Sequence, residues 1–436
     1  MSRSASSAVE NRLRASEAPS GDTLVYSYLV LTPVLWACGL LAPAGALVVA
    51  WLAITRWSKA KEASLLVLPW LFLAAMQAFA AVVAWSYDGG GLVELPRHLL
   101  SMTVLGWLFL GLAVAAGYSH ALTSPRLVRG VAVLGLYILI LGTAALALYR
   151  AGLAGLDVKT PIGYLLPDTP GVAFYFTMQF FVTEDSFGGV APRLILFFPW
   201  ATMLSMGGLM ILFISSQDEH PFWRLVGAAG GIMAVVFSFS RIGWLMVVAC
   251  SCLYMWLQLD TVGRWTAIAA AWLTGTVLLF TGFDPFVSGS SALQAISDAR
   301  SGSSLGRSMI YERSWEGFQR SPMFGQGWIG DSVIPTEYLP VGSHSSVYGL
   351  LYTGGLVSFV FLVLALALTG LLTARNALRG CPCSKVALVL VFALIGFSPV
   401  ESLFSFSLPC MFGFMWIGGA ARAANDAAQN RRSSFQ

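Results

Sequence analysis

The chain has 436 residues, of which 57% are hydrophobic and 11% charged, with a formal net charge of +4 and a mean hydropathy of +0.74. A soluble domain carries about 25% charged residues, so a water-facing globular surface is excluded and the class is an all-α polytopic membrane protein. The six cysteines (Cys38, Cys250, Cys252, Cys381, Cys383 and Cys410) form no CxxC pair and lie mostly in apolar runs, which excludes a disulfide framework and a zinc site, and the modest net charge gives no reason to expect nucleic acid.

The first 23 residues are polar and rich in Ser and Ala. No short apolar segment with a small-residue cleavage site follows, so the stretch reads as a disordered cytoplasmic tail rather than a removable signal. The apolar region 25–54 is too long for one straight helix, and Ala42-Pro43-Ala44-Gly45 in its middle predicts a tight turn. Arg3, Arg12 and Arg14 precede it, and Arg56, Lys59 and Lys61 follow it. Both flanks are then cytoplasmic, and the region crosses twice.

A spanning helix needs about 20 mainly apolar residues. Further runs of that kind lie near 65–86, 98–118, 127–149, 192–215, 222–239, 242–259, 265–282, 345–373, 384–401 and 404–423. With the hairpin this predicts about twelve transmembrane helices in one domain over 24–424, with both ends inside and a cytoplasmic tail at 425–436. Sixteen of the 25 Lys and Arg residues then lie on the cytoplasmic side, as the positive-inside rule requires. Two long loops face outward, 150–191 and 283–343. The second bears an amphipathic helix on which Tyr311, Trp315 and Phe318 share a face at helical spacing, with Ser303 or Ser304 as its cap and Arg307 in its first turn.

Several charged residues gather at the predicted outer rim. Arg241, in FSFSRIGWL, stands at the turn between two apolar runs; it either touches lipid headgroups or faces a cavity as an anion site. Arg307, beside free backbone N–H groups at a helix start, would make a phosphate cradle; the alternative is a solvated cation among Arg300, Arg313 and Arg320. No Walker A pattern follows the nearby glycines. His344 begins a predicted helix with Ser343 as its cap. A helix N-terminus disfavours imidazolium, so a neutral ring able to accept a proton is expected, unless the ring is simply packed at the interface. Glu401 and Asp331 could each orient His344 or an arginine. Asp157, Lys159, Asp168, Glu184, Asp185 and Arg193 could line an acceptor groove. Neither outer loop holds a DxD pair, so no metal is demanded and no cofactor is expected.

Gly306-Arg307, then Pro322-x-x-Gly325-x-Gly327, then a loop and His344-Ser345, with Ser240-Arg241 at the outer end of an earlier helix, resembles the O-antigen ligase/polymerase superfamily. The ligase pattern H-[NSQ]-x9-G is met by His344, Ser345 and Gly355, while Ser358 departs from its extension. The resemblance implies a GT-C-like, metal-independent, inverting glycosyltransferase whose donor is a glycan on undecaprenyl pyrophosphate. It implies that Arg241 and Arg307 bind the donor pyrophosphate and His344 activates the acceptor hydroxyl, with Glu401, Asp331 and Ser345 as supporting residues. The wording around His344 is closer to polysaccharide polymerases than to ligases that transfer the glycan to lipid A–core. The implied setting is the cell inner membrane with the site facing the periplasm; a chain-length regulator and a flippase are further candidate partners. A secondary transporter is the competing class, but such proteins place ionisable or helix-breaking residues near the midplane, whereas here they gather at the rim.

Overall fold

The computed structural model describes residues 21–88, 94–152, 157–166, 173–182, 192–280, 301–334 and 339–433. The polar tail up to residue 20, Asp168, Glu184, Asp185 and Arg300 lie outside the described residues.

Apolar helices account for most of the chain, and they begin with the expected hairpin. Helices α1 (Gly21–Val30) and α2 (Thr32–Cys38) lead to a left-handed Gly39, and α3 (Leu41–Thr55) returns. The turn is therefore at Gly39-Leu40, not at residues 42–45. Pro43 sits inside the first turn of α3, where backbone N–H groups lack helical partners and proline removes nothing. The two passes lie side by side: Tyr28 donates from its hydroxyl to Leu41 O at 3.2 Å. Both far ends meet His120, which packs on Gly21 and places Nε2 3.1 Å from Leu52 O.

Helix α4 (Ser64–Asp88), a π-helical stretch Leu99–Leu108 that continues into α5 (Phe109–His120), and α6 (Pro125–Arg150) follow. Ser124 caps α6 from its hydroxyl with Pro125 next to it, a standard helix start. Two short antiparallel ladders then cover the hairpin tip: β1 (Val158–Lys159) pairs with β2 (Thr177–Met178), and β3 (Phe181–Val182) with β4 (Arg193–Leu194). The predicted helix over 192–215 is thus too long. Helix α7 (Ala201–Ser215) starts only after Pro199, which disfavours helix in the residue before it. Every residue of α7 except Leu212 is buried, so it forms the centre of the bundle.

Helices α8 (Pro221–Phe237), α9 (Arg241–Gln258) and α10 (Thr261–Phe280) lead to α11 (Ser301–Arg320). The chain ends with α12 (Ser346–Leu378), α13 (Pro382–Phe397), a 3₁₀ turn at Leu403–Phe406, and α14 (Met411–Ser433). The expected span 404–423 therefore begins at Met411, and the expected tail from 425 continues as helix. Helices approach closely where glycines face backbone: Gly117 and Gly418 between α5 and α14, and Gly135 and Gly230 between α6 and α8. Small residues at crossings are how helices associate in a bilayer, where no hydrophobic force separates them from lipid.

Among the described residues, five helices are long and apolar enough to cross a membrane: Trp57–Tyr87, Leu95–His120, Pro125–Arg150, Arg241–Gln258 and Ser346–Leu378. Leu41–Thr55, Ala201–Ser215, Pro221–Phe237 and Pro382–Phe397 are shorter apolar helices. This is an all-α integral membrane architecture; these lengths do not by themselves reach the expected twelve crossings. Its two ends differ in charge chemistry. At one end Arg129 grips buried Asp218 with two hydrogen bonds of 2.8 and 3.0 Å, Arg126 bonds Thr23, Lys385 bonds Gln258 and Arg422 bonds Glu62. At the other lie Arg193, Arg241, Arg307, His344 and Glu401.

Candidate active site

Arg307 and Glu401 form the centre of that second end. Their Nη2 and Oε1 atoms are 3.0 Å apart, with the carboxylate side chain only 5% exposed. Glu401 belongs to the turn after α13, and one serine holds that turn in place. Ser346, the first residue of α12, donates from its backbone to Ser398 O and Glu401 O, donates from its hydroxyl to Glu401 O at 2.9 Å, and accepts from Leu403 N at 2.7 Å. Burial raises the Glu401 carboxyl above its ordinary value, and Arg307, the Thr202 hydroxyl and Arg193 offset this only in part. A carboxylate this enclosed persists only because those partners surround it.

Arg307 is carried by α11, which differs from its sequence reading in two ways. The helix begins at Ser301, so Arg307 lies in its second turn and not beside free N–H groups; the guanidinium is fixed by Glu401 instead. The buried stripe is Gly306, Ile310, Ser314 and Gly317, whereas Trp315 is 44% exposed. The shift follows from small residues: α11 lies so close to α12 that Gly317 meets the Tyr352 ring. Tyr311 stands at the edge of this contact, stacked on Tyr348 with centroids 4.8 Å apart.

His344 is the last residue but one before α12. Ser345, not Ser343, is the cap: its hydroxyl accepts from Val347 N and Tyr348 N, both at 3.1 Å. His344 has a left-handed backbone, φ 59°, a conformation that is uncommon outside glycine and concentrates at functional positions. Tyr311 steadies it by donating to His344 O at 3.2 Å. The ring is expected to be neutral, and its surroundings favour that form: desolvation first, and the Arg307 guanidinium second, lower its pKa to about 4. The cause is thus the surroundings rather than the helix end alone.

Arg241 is the first residue of α9, capped by Ser240, whose hydroxyl accepts from Gly243 N at 3.3 Å. Its connection to the pair runs through the chain around it. Arg193 donates from Nε to Ser238 O at 3.2 Å, three residues before Arg241, and also acts on Glu401. Arg193, one of six residues unranked by sequence, therefore joins this end. Of the others, Lys159 lies over the Tyr164 ring and Asp157 bonds Gln179. Asp331 is exposed; its backbone carbonyl accepts from Val341 N at 3.1 Å and its carboxylate acts on Tyr352, not on His344.

The glycine turn has a mechanical role. Helix α12 breaks at Gly355 (φ 64°, ψ −167°), a backbone conformation open essentially to glycine alone. The freed groups are taken up by the turn at 322–327. Gln326 N donates to Tyr352 O at 2.6 Å and Gly327 N to Thr353 O at 2.9 Å, while Leu356 N donates to Pro322 O at 2.8 Å. A Cβ on Gly325 or Gly355 would collide with the facing backbone. Buried Gln77 of α4 locks the joint by donating to Gly327 O at 3.1 Å. The helix bearing Arg307 and the helix start bearing His344 are in this way clasped together through main chain.

Sequence reasoning reached Arg307, His344, Glu401 and the two glycines. It missed Ser346 and Thr202 and placed Tyr311 only on the apolar face of α11, since a hydroxyl near a turn carries little signal. Arg193, a cation immediately before the apolar run LILFF, is the one that could have been singled out. The arrangement offers fixed cations beside a neutral imidazole, which suits binding an anion and accepting a proton.

Residues 226–346 match the family model described as O-antigen ligase. The matched segment is a little over a quarter of the chain and contains Arg241, Arg307, Gly325, Gly327 and His344. No curated protein matches the chain.

Proposed function

We propose, with membership of the O-antigen ligase/polymerase superfamily as premise, that this protein polymerises undecaprenyl-pyrophosphate-linked oligosaccharide units into a surface or secreted polysaccharide. The observation that supports this most directly is a guanidinium, Arg307, fixed by a buried carboxylate next to the neutral imidazole of His344. Arg307 and Arg241 bind the pyrophosphate and stabilise the charge that develops as it departs. The imidazole of His344 accepts the proton of an acceptor sugar hydroxyl. The hydroxyl oxygen bonds to the anomeric carbon as the bond from that carbon to the phosphate oxygen breaks, with inversion, and the electron pair leaves with undecaprenyl pyrophosphate. The arginines supply the positive charge, so the reaction needs no metal, and the donor linkage supplies the energy. In this reading the site faces the periplasm from the inner membrane, downstream of a flippase and alongside a chain-length regulator.

The second reading, transfer of the finished glycan to lipid A–core, is favoured by the match of His344, Ser345 and Gly355 to the ligase spacing. One experiment separates the two. His344→Ala, Arg241→Ala and Arg307→Ala are expressed in a deletion host and the surface glycan is resolved by electrophoresis. Accumulation of a single repeat unit supports a polymerase; intact polymer left on the lipid carrier supports a ligase. Unchanged glycan with altered solute uptake would overturn both in favour of a transporter.

A further inference from the structure

Ser343 has a single hydroxyl proton and two neighbours. Its Oγ lies 2.6 Å from Pro340 O and 2.5 Å from His344 Nδ1. A carbonyl oxygen can only accept, so the hydroxyl proton is committed to Pro340 O. Oγ can then meet the ring only as an acceptor, and the hydrogen between Oγ and Nδ1 must come from the ring. We infer that Ser343 is a positioning residue that holds neutral His344 in its Nδ1–H tautomer, leaving the Nε2 lone pair as the proton acceptor.

The surroundings are built to keep this geometry. Pro340 is joined to Ser332 by an isolated antiparallel bridge, so the accepting carbonyl is itself anchored. Ser343 N donates to the same Pro340 O at 3.2 Å, closing a tight turn. Gly342 N donates to Ser314 Oγ of α11 at 2.9 Å. Tyr311 holds the His344 carbonyl, and Ser345 starts the helix beyond. The left-handed φ of His344 turns its side chain back over Ser343, which explains why an unfavourable backbone is retained at this position. A histidine base generally has its second nitrogen held in this manner, since the bond at one ring nitrogen decides what the other can do. When Nε2 takes up the acceptor's proton, Nδ1–H continues to donate to Oγ, so no rearrangement accompanies the transfer.

The inference rests on His344 acting as a base, and its test separates the two ideas. The chain has four histidines, so full-length protein labelled with [15N]histidine in lipid nanodiscs gives few imidazole signals, and His344→Gln identifies that of His344. The expected spectrum has a protonated Nδ1 and an unprotonated Nε2 for His344, and Ser343→Ala loses that preference while Ser343→Thr keeps it. In glycan transfer with a lipid-pyrophosphate donor, Ser343→Ala is expected to lower kcat about tenfold or more, the size typical of losing such a support, with donor KM within about twofold, and Ser343→Thr to restore most of it. A wild-type Nε2–H signal, or an unchanged tautomer in Ser343→Ala, overturns the inference; should that variant not fold, the wild-type spectrum decides. Full transfer activity in His344→Gln would instead overturn the base, leaving the tautomer assignment standing on its own.

Discussion

The half-buried setting of His344 and the nearby Arg307 both favour the neutral imidazole, and these two causes respond differently to substrate. A bound pyrophosphate would cancel the influence of Arg307 while leaving the burial. The acidic limb of kcat/KM for the donor, which reports the free protein, should therefore fall near pH 4, and the limb of kcat should lie at higher pH. Coincident limbs would place the anion away from Arg307. The same depression bears on stability. The folded value lies below the ordinary 6.5, so neutral His344 contributes fully above about pH 6.5, and that contribution is lost as pH falls toward 4. The Arg307–Glu401 pair gives a second prediction. Arg307→Ala strands a buried carboxylate, and breaking such pairs costs about 3–5 kcal/mol, so thermal unfolding should drop along with activity. Adding Glu401→Gln should recover the stability and not the activity. Arg307 and His344 were legible from their neighbours in sequence. The partner of Arg307 was visible only as one of two acidic candidates, because 94 residues separate the pair and nothing local marks which carboxylate is enclosed.

Among elements, the joint between α11 and α12 decides how well the site holds its shape. Gly355→Ala places a Cβ against Met323 and Phe324 backbone in a conformation closed to alanine. Strain of this kind costs about 1–3 kcal/mol, with the collision in addition, so a lowered unfolding temperature in detergent and loss of transfer are expected. Gln77→Ala leaves the clasp short of its buried donor and should cost about 1–3 kcal/mol, measurable by the same melt. The sequence read α12 as one unbroken helix because Gly354-Gly355 inside an apolar run is ordinary for a spanning segment. What breaks it is a turn some thirty residues upstream, beyond the reach of any local pattern. Helix α7 was overextended for a related reason: Leu194–Phe198 is apolar enough to pass for membrane helix, yet it serves as strand and turn over the hairpin tip.

For the molecule as a whole, the separation of Arg129, Lys385 and Arg422 from Arg307 and His344 predicts sidedness. A cysteine introduced at exposed Ser308, in a variant otherwise free of cysteine, should react with an impermeant thiol reagent added outside intact cells. One at exposed Arg379 should react only after the membrane is opened. The reverse result would invert the topology. Helix order and the hairpin were legible because hydropathy and flanking charge report them directly. The exact hairpin turn was not, since Pro43 is compatible with both a loop and a helix start.

The break at Gly355 also sets a depth. At 1.5 Å per residue the stretch from Leu356 to Leu378 rises about 34 Å, already enough to fill a hydrocarbon core of about 30 Å. The stretch Ser346–Gly354 of α12, and His344 ahead of it, then extend beyond the length that such a core requires. On the proposed function, a lipid-linked donor would not have to be lifted out of its leaflet: its charged head would rest at the level of Arg307 and His344.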